Sequence, residues 1–412
     1  MNELKSANGD APRRASARAA LTKAVALAVA VSTFAAPLGA LADSRAQAKR
    51  MYDRLTGTPP SPEVLNQLES KVTSEGAVST ALFLIDNPDD PRSSAFYSVT
   101  LKNFATPWTN RDRNVFAPLN DYTATVIGYV RDGKDFRGIL SDDTLYVSAS
   151  GSYSPASNDM YESLESSNAN LRDKNVLVEV RQSSVNGLPS DATAGIITSR
   201  AAAQAFFLAG TNRAMFRFTM LNHLCRDMEQ ISDLTRPPDR IRQDVTRSPG
   251  GDSSFFLNNC IGCHNVMDSM AQAFAYYNFD EATGRLQYTP GQVQPKYLIN
   301  SDNFKPGYVT PDDHWENRMR LPGHNTALGW KDNTDFTVRG GQGAKSLGEE
   351  LAQSKAFAQC QVEKVFRTVC FRSPSDTADH QKVLDLTAEF QGSGNGNLKQ
   401  VFAETAAFCA GN

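Results

Sequence analysis

Apolar side chains return every three to four residues along most of this chain, the mark of helices that bury one face. Val64, Leu65, Leu68 and Val72 give the first such stripe. Ser61 stands where a helix cap belongs and Pro62 suits the first helical position, so the pattern predicts a helix over 62–72. Segment 77–84 is apolar enough for a buried helix or strand, and Asn87-Pro88-Asp89-Asp90-Pro91 then breaks the chain. From 96 to 147 the spacing is mostly helical, with Tyr122, Val126, Ile127 and Val130 on one stripe and Phe136, Ile139 and Leu140 opening a shorter one. Residues 146–148 and 176–180 read as brief strands. Between them 149–167, rich in Ser, Asn, Gly and Tyr without a period, reads as a long surface loop.

A long helical region is expected over 198–228, with Met220, Leu221, Leu224, Cys225 and Met228 facing a core and His223 as a structural histidine. Arg236-Pro237-Pro238 ends it, and Arg247-Ser248-Pro249-Gly250-Gly251 forms a second loop. A short helix through Phe255, Phe256 and Leu257 leads to another that opens at Cys260. The rings of Phe274, Tyr276, Tyr277 and Phe279 follow, then a loop-rich stretch over 281–333. The end is helical again. Leu347, Leu351, Phe357, Val362 and Phe366 fit one or two helices broken near Ser354, and 383–390 and 398–408 give two more.

Composition narrows the class without naming a function. The chain has 412 residues, room for two to three domains, with 40% apolar and 21% charged residues, as in ordinary globular proteins. A formal net charge of −3 gives no reason to expect a nucleic-acid or anionic-membrane partner. Lys5, Arg13, Arg14, Arg18 and Lys23 precede an apolar run over 24–36, and Ala40-Leu41-Ala42 supplies a small-x-small cleavage pattern. Residues 1–42 therefore read as a signal peptide, with the mature chain beginning near Asp43 and keeping no membrane span. An uncleaved anchor is the alternative.

The densest chemistry lies in Cys260-Ile261-Gly262-Cys263-His264. Two cysteines three apart with a histidine directly after them form the C-x-x-C-H pattern of c-type haem attachment. Two thiols add to the two vinyl groups on one edge of a porphyrin, and the next side chain reaches the iron as proximal ligand. A redox C-x-x-C lacks a preceding βαβ pattern here, and a zinc site would want a second close pair, which Cys360 and Cys370 do not form. The expected cofactor is thus one covalent haem c, held by Cys260 and Cys263 with His264 on the iron. Export agrees with this, because thioether cytochromes are matured outside the cytoplasm. In an oxidising compartment Cys225, Cys360, Cys370 and Cys409 read as two disulfides, with three possible connectivities.

The expected fold class is mainly α: helical modules around a cytochrome c-like haem-binding segment, with long loops and few short strands. The expected division is a signal peptide over 1–42, a mainly helical N-terminal region over 43–248, a haem module over 249–340 and a helical C-terminal module over 341–412.

Three stretches resemble the planctomycete-type cytochrome c proteins, large periplasmic multi-module proteins. Arg54-Leu55-Thr56-Gly57-Thr58-Pro59-Pro60 is similar to the opening of one of their modules. Residues 260–268, followed by Tyr277-Asn278-Phe279-Asp280 and Gly284-Arg285, resemble their haem module, with Ser269 where that family has Pro. Residues 351–360 resemble their helical C-terminal module. The resemblance implies a haem protein located in the periplasm, and it supplies no substrate.

The sixth iron position decides the activity, and three residues are candidates for it. Met267 and Met270 follow His264 too closely to reach the opposite haem face, whereas Met319, His314 and His324 lie further along, with Met319 the first choice. A methionine suits electron transfer, and an open position admits small molecules. The leading expectation is a periplasmic mono-haem cytochrome passing electrons to a redox partner protein. The alternative is a peroxidase-like haem enzyme with an open distal site, for which Asp312, Asp313 and His314 offer an acid or base.

Overall fold

A computed structural model describes residues 43–208, 210–297, 302–324, 328–330 and 338–411. The expected signal peptide over 1–42 lies outside them. Residues 44 to 411 belong to one unit, mainly helical with short antiparallel strand pairs, as the periodicity predicts. Among the described residues no helix is long and apolar enough to cross a membrane.

Helices α1 (Ser44–Thr56), α2 (Pro62–Glu75) and α3 (Ala77–Asp86) pack together at the start of the chain. Ser61 caps α2, its hydroxyl accepting from the Val64 amide with Pro62 in the first turn. After short helical turns over 91–108 comes α4 (Asp121–Asp132), whose Tyr122, Val126, Ile127 and Val130 are all buried, followed by strand β1 (Leu145–Ser148). Its partner β2 (Leu177–Val180) runs antiparallel, with Leu145 opposite Val180. Between the two strands lies a helix, α5 (Asp159–Ser166), where the sequence reads as loop. Only Tyr161 and Leu164 are buried in it, too few apolar positions to declare a period.

The expected long helix over 198–228 is broken. Helix α6 (Arg200–Phe206) stops before Asn212, which has a left-handed φ of 60°, and α7 (Arg213–Thr219) continues into a π turn over Met220–Leu224 that Cys225 ends at φ 54°. The wider turn rotates the buried face, so Asn222 and His223 point inward alongside Met220 and Leu224.

Past this wall come α8 (Ser253–Asn259) and α9 (Ile261–Ala271), then the hairpin β3 (Tyr277–Asp280) and β4 (Arg285–Tyr288). Strand β5 (His314–Asn317) pairs with β6 (Arg339–Gln342), and four helices close the chain: α10 (Gly343–Ala352), α11 (Lys355–Cys370), α12 (Thr377–Gln391) and α13 (Leu398–Ala410). The break between α10 and α11 falls at Ser354, whose hydroxyl caps α11 by accepting from the Phe357 amide. The last helices return to the first. Helix α13 packs on α1, α3 and α11, and Arg54 donates to the Val369 carbonyl (2.9 Å). Two disulfides tie α11 to the end of the broken helix and to α13, Cys225–Cys360 and Cys370–Cys409, which selects one of the three connectivities. The main core is continuous across the three expected segments, from Met51 through Met270 to Phe402.

Candidate functional site

Helix α8 begins at Asp252, whose carboxylate accepts from the Ser254 amide, and ends at Cys260, whose own amide bonds back to Phe256. The chain then restarts as α9, and the His264 amide bonds the Cys260 carbonyl (3.2 Å) to close the first turn. Within that turn Cys260, Cys263 and His264 stand three and four residues apart, which places them on one helix face. All three are partly exposed, while Gly262 on the other side is buried.

The opposite side is pinned. A side-chain carbon at Gly262 would lie 2.2 Å from Ser232 Oγ and 3.3 Å from the Asp233 amide nitrogen, so glycine lets the loop at 232–234 approach closely. The Asp233 amide donates to the Gly262 carbonyl (3.1 Å), and Asn265 Nδ2 donates to the carbonyls of Asp233 (3.1 Å) and Arg236 (3.0 Å). Helix α9 also packs on α7, β5 and the turn at Pro238–Arg240. With its back anchored on several elements, its cysteine–histidine face is held in a fixed direction.

The two cysteines are unbonded, and among the described residues they are the only ones outside a disulfide. Cys263 Sγ donates to the Met228 carbonyl (3.5 Å). Burial pushes its thiol above the ordinary value, against a hydrogen bond from Ser232 that lowers it. That is opposite to the depressed thiol of a redox C-x-x-C nucleophile. Nor do three or more His, Cys, Asp or Glu side chains gather into a metal-holding group among the described residues, as tetrahedral zinc would need.

His264 is oriented by a carboxylate one turn on. Its Nδ1 lies 3.1 Å from Oδ2 of Asp268, whose side chain is fully buried. An ionised carboxylate only accepts, so the ring proton sits on Nδ1 and the Nε2 lone pair is left for a ligand role. Among the described residues Nε2 has no hydrogen-bond partner. Burial alone would raise the Asp268 carboxyl, but the Arg213 charge, His264 and Arg242 outweigh it and hold the group well below the usual carboxylate range.

Apolar surface suited to a porphyrin flanks the turn. Phe255 and Leu257 on α8 are 52% and 56% exposed. Phe256 lies under His264, ring centroids 6.1 Å apart. Two free thiols on one face, an imidazole with a free Nε2 and uncovered apolar side chains together fit a covalently held haem. The aromatic run further on serves the core instead: Tyr277 stacks on Phe207 at 5.5 Å, and its hydroxyl donates to the Ala192 carbonyl (2.6 Å).

The three distal candidates differ in setting. Met319 has no exposed surface and sits in the main core, its amide donating to Asn317 Oδ1. His314 is 60% exposed on β5, beside Asp312 at 3.2 Å. His324 Nε2 is 3.6 Å from Asp233, on the pinned side of α9.

Sequence reasoning passed over Asp268 as a partner of His264, although a carboxylate four residues after a helical histidine is a readable signal. Arg213, Asp233 and Asn265 reach the site through tertiary contacts that no local pattern announces. No protein-family model, curated protein or solved structure matches the chain.

Proposed function

We propose that this chain is a c-type haem protein that carries electrons, with Cys260 and Cys263 holding one porphyrin through thioether bonds and His264 Nε2 as proximal ligand. The observation that carries the reading is the single partly exposed face shared by Cys260, Cys263 and His264, with Asp268 fixing the ring so that Nε2 is free. The haem supplies a one-electron Fe(III)/Fe(II) couple. The chain supplies the rest: α9 sets the direction of the two thiols, Asp268 keeps the proton on Nδ1, and Phe255 and Leu257 offer apolar cover. A haem attached at this half-exposed turn keeps an edge near the surface, which suits exchange with a redox partner protein. Maturation in the periplasm agrees with the two disulfides, and the planctomycete-type cytochrome c proteins are the family we propose for it.

A second reading rests on the burial of Met319 in the main core and on the contact of His324 with Asp233, on the pinned side of α9. An open sixth position admits small molecules, which would make the protein a peroxidase-like enzyme. One experiment separates the two: visible spectra of protein expressed with cytochrome c maturation, oxidised and reduced, with and without carbon monoxide. Low-spin iron indifferent to carbon monoxide supports electron transfer, and high-spin iron that binds it supports the enzyme. Protein without covalent haem overturns both.

A further inference from the structure

A charged group lies beneath His264. Asp268 Oδ1 receives Arg213 Nε (2.7 Å), and its Oδ2 receives Arg213 Nη2 (3.0 Å), the Arg242 amide (3.4 Å) and His264 Nδ1 (3.1 Å). The same guanidinium forks onto Asp244, with Nη1 to Oδ2 at 2.7 Å and Nη2 to Oδ1 at 2.9 Å. Arg242 Nε stands 3.5 Å from Asp244 Oδ1. Two carboxylates and two guanidiniums thus balance in charge, and three elements meet at Asp268: α7, the loop at 242–244 and α9 itself, through His264 one turn earlier. A helix tolerates a fully buried carboxylate only where such partners satisfy it. Nothing in the packing of α9 itself requires a charge there, since Val266, Met267, Met270 and Ala271 already bury its apolar face.

We infer that Asp268 is a positioning residue that sets the reduction potential of the haem: it fixes the His264 ring and lends it anionic character, while Arg213 limits how much charge is lent. This rests on the proposed haem attachment at Cys260 and Cys263. An imidazole whose Nδ1 proton is shared with a carboxylate is a stronger donor through Nε2 than one bonded to a neutral acceptor. A stronger donor favours Fe(III), the more positive iron, and so lowers the potential. One electron is exchanged with no change in protons: the proton remains between His264 and Asp268 in both oxidation states. Arg213 acts in the opposite sense. Each hydrogen bond that it makes to Asp268 withdraws charge that His264 would otherwise receive.

The test is spectroelectrochemical titration of the holoprotein, with dithionite as electron donor and ferricyanide as acceptor. Asp268→Asn keeps the shape and removes the charge, and it is expected to favour Fe(II) at least tenfold, an upward shift of about 59 mV for one electron. Arg213→Lys keeps the charge but gives up the fork, and it is expected to favour Fe(III) about threefold. Opposite signs are the signature, because simple loosening of the helix would move both variants the same way. If Asp268→Asn does not fold, the sign of Arg213→Lys alone decides. A change of less than twofold in both variants, or an Asp268→Asn shift toward Fe(III), overturns the inference. Covalent haem present with an unmoved potential contradicts this inference alone, whereas wild-type protein without covalent haem contradicts the reading beneath it.

Discussion

Two places in the molecule pair a histidine with cysteines and treat them in opposite ways. At the end of the broken helix, His223 precedes Cys225, which is closed in a disulfide with Cys360. His223 is buried, its Nε2 is 2.7 Å from the Tyr122 hydroxyl, and Trp108 packs edge-on to its ring at 5.4 Å. Beside it the Lys364 ammonium lies 3.5 Å over Trp108 and donates to the Asn222 carbonyl. At the turn into α9, Cys260 and Cys263 are open and unbonded, and His264 is 18% exposed on an anionic partner. Residue type does not separate the two places. Burial and the nearest charge do: the first group is sealed among rings and made structural, and the second is held outward with a lone pair to give.

The comparison breaks most visibly if its cysteines are removed in turn. Cys260→Ala with Cys263→Ala is expected to abolish covalent haem, read by haem staining of a denaturing gel, while the apoprotein keeps its far-ultraviolet circular dichroism. Cys225→Ala with Cys360→Ala is expected to do the reverse. The bridge closes a span of 135 residues, so urea unfolding of this variant loses about 5 kcal/mol while haem attachment survives. Haem loss in the second pair, or none in the first, would erase the distinction between the places.

Smaller changes sharpen it. Gly262→Ala puts a carbon 2.2 Å from Ser232 Oγ and 3.3 Å from the Asp233 amide nitrogen. The Ser232 hydroxyl must turn away and the Asp233 amide give by a few tenths of an ångström, at about 1 kcal/mol in urea unfolding. Haem yield should fall with it, because this contact fixes the direction of the cysteine face. His223 gives the mildest effect. Burial, then the Lys364 charge, hold its ring well below the ordinary histidine range, so it is neutral in the fold. The unfolded chain takes up that proton near pH 6.5, so stability falls as pH drops below about 6.5, by up to about 1.4 kcal/mol per pH unit. Urea titrations between pH 5 and 6.5 should lose one proton's worth of that slope in His223→Gln. An unchanged slope would mean that His223 is not the sealed group described.

Much of this contrast is legible in the chain before folding. Ser61 and Ser354 announce their helices, the stripe from Tyr122 to Val130 lies inward, and the C-x-x-C-H spacing isolates the turn at Cys260. What escapes is set by tertiary forces. The long apolar stripe over 198–228 conceals a stop at Asn212 and a π turn, because backbone conformations of one or two residues leave no period. The short helix at 159–166 buries two side chains, too few to register. Asp268 was visible four residues after His264, but its importance comes from Arg213, 55 residues earlier, and only the fold brings that fork to it.

The central claim is that Cys260, Cys263 and His264 form a haem-attachment face, and mass spectrometry of the peptide spanning 253–271 tests it most directly. From protein expressed with cytochrome c maturation, the account predicts one porphyrin on this peptide, bound through both sulfurs. The same peptide recovered with two free thiols, or with a Cys260–Cys263 disulfide, and no porphyrin would contradict it.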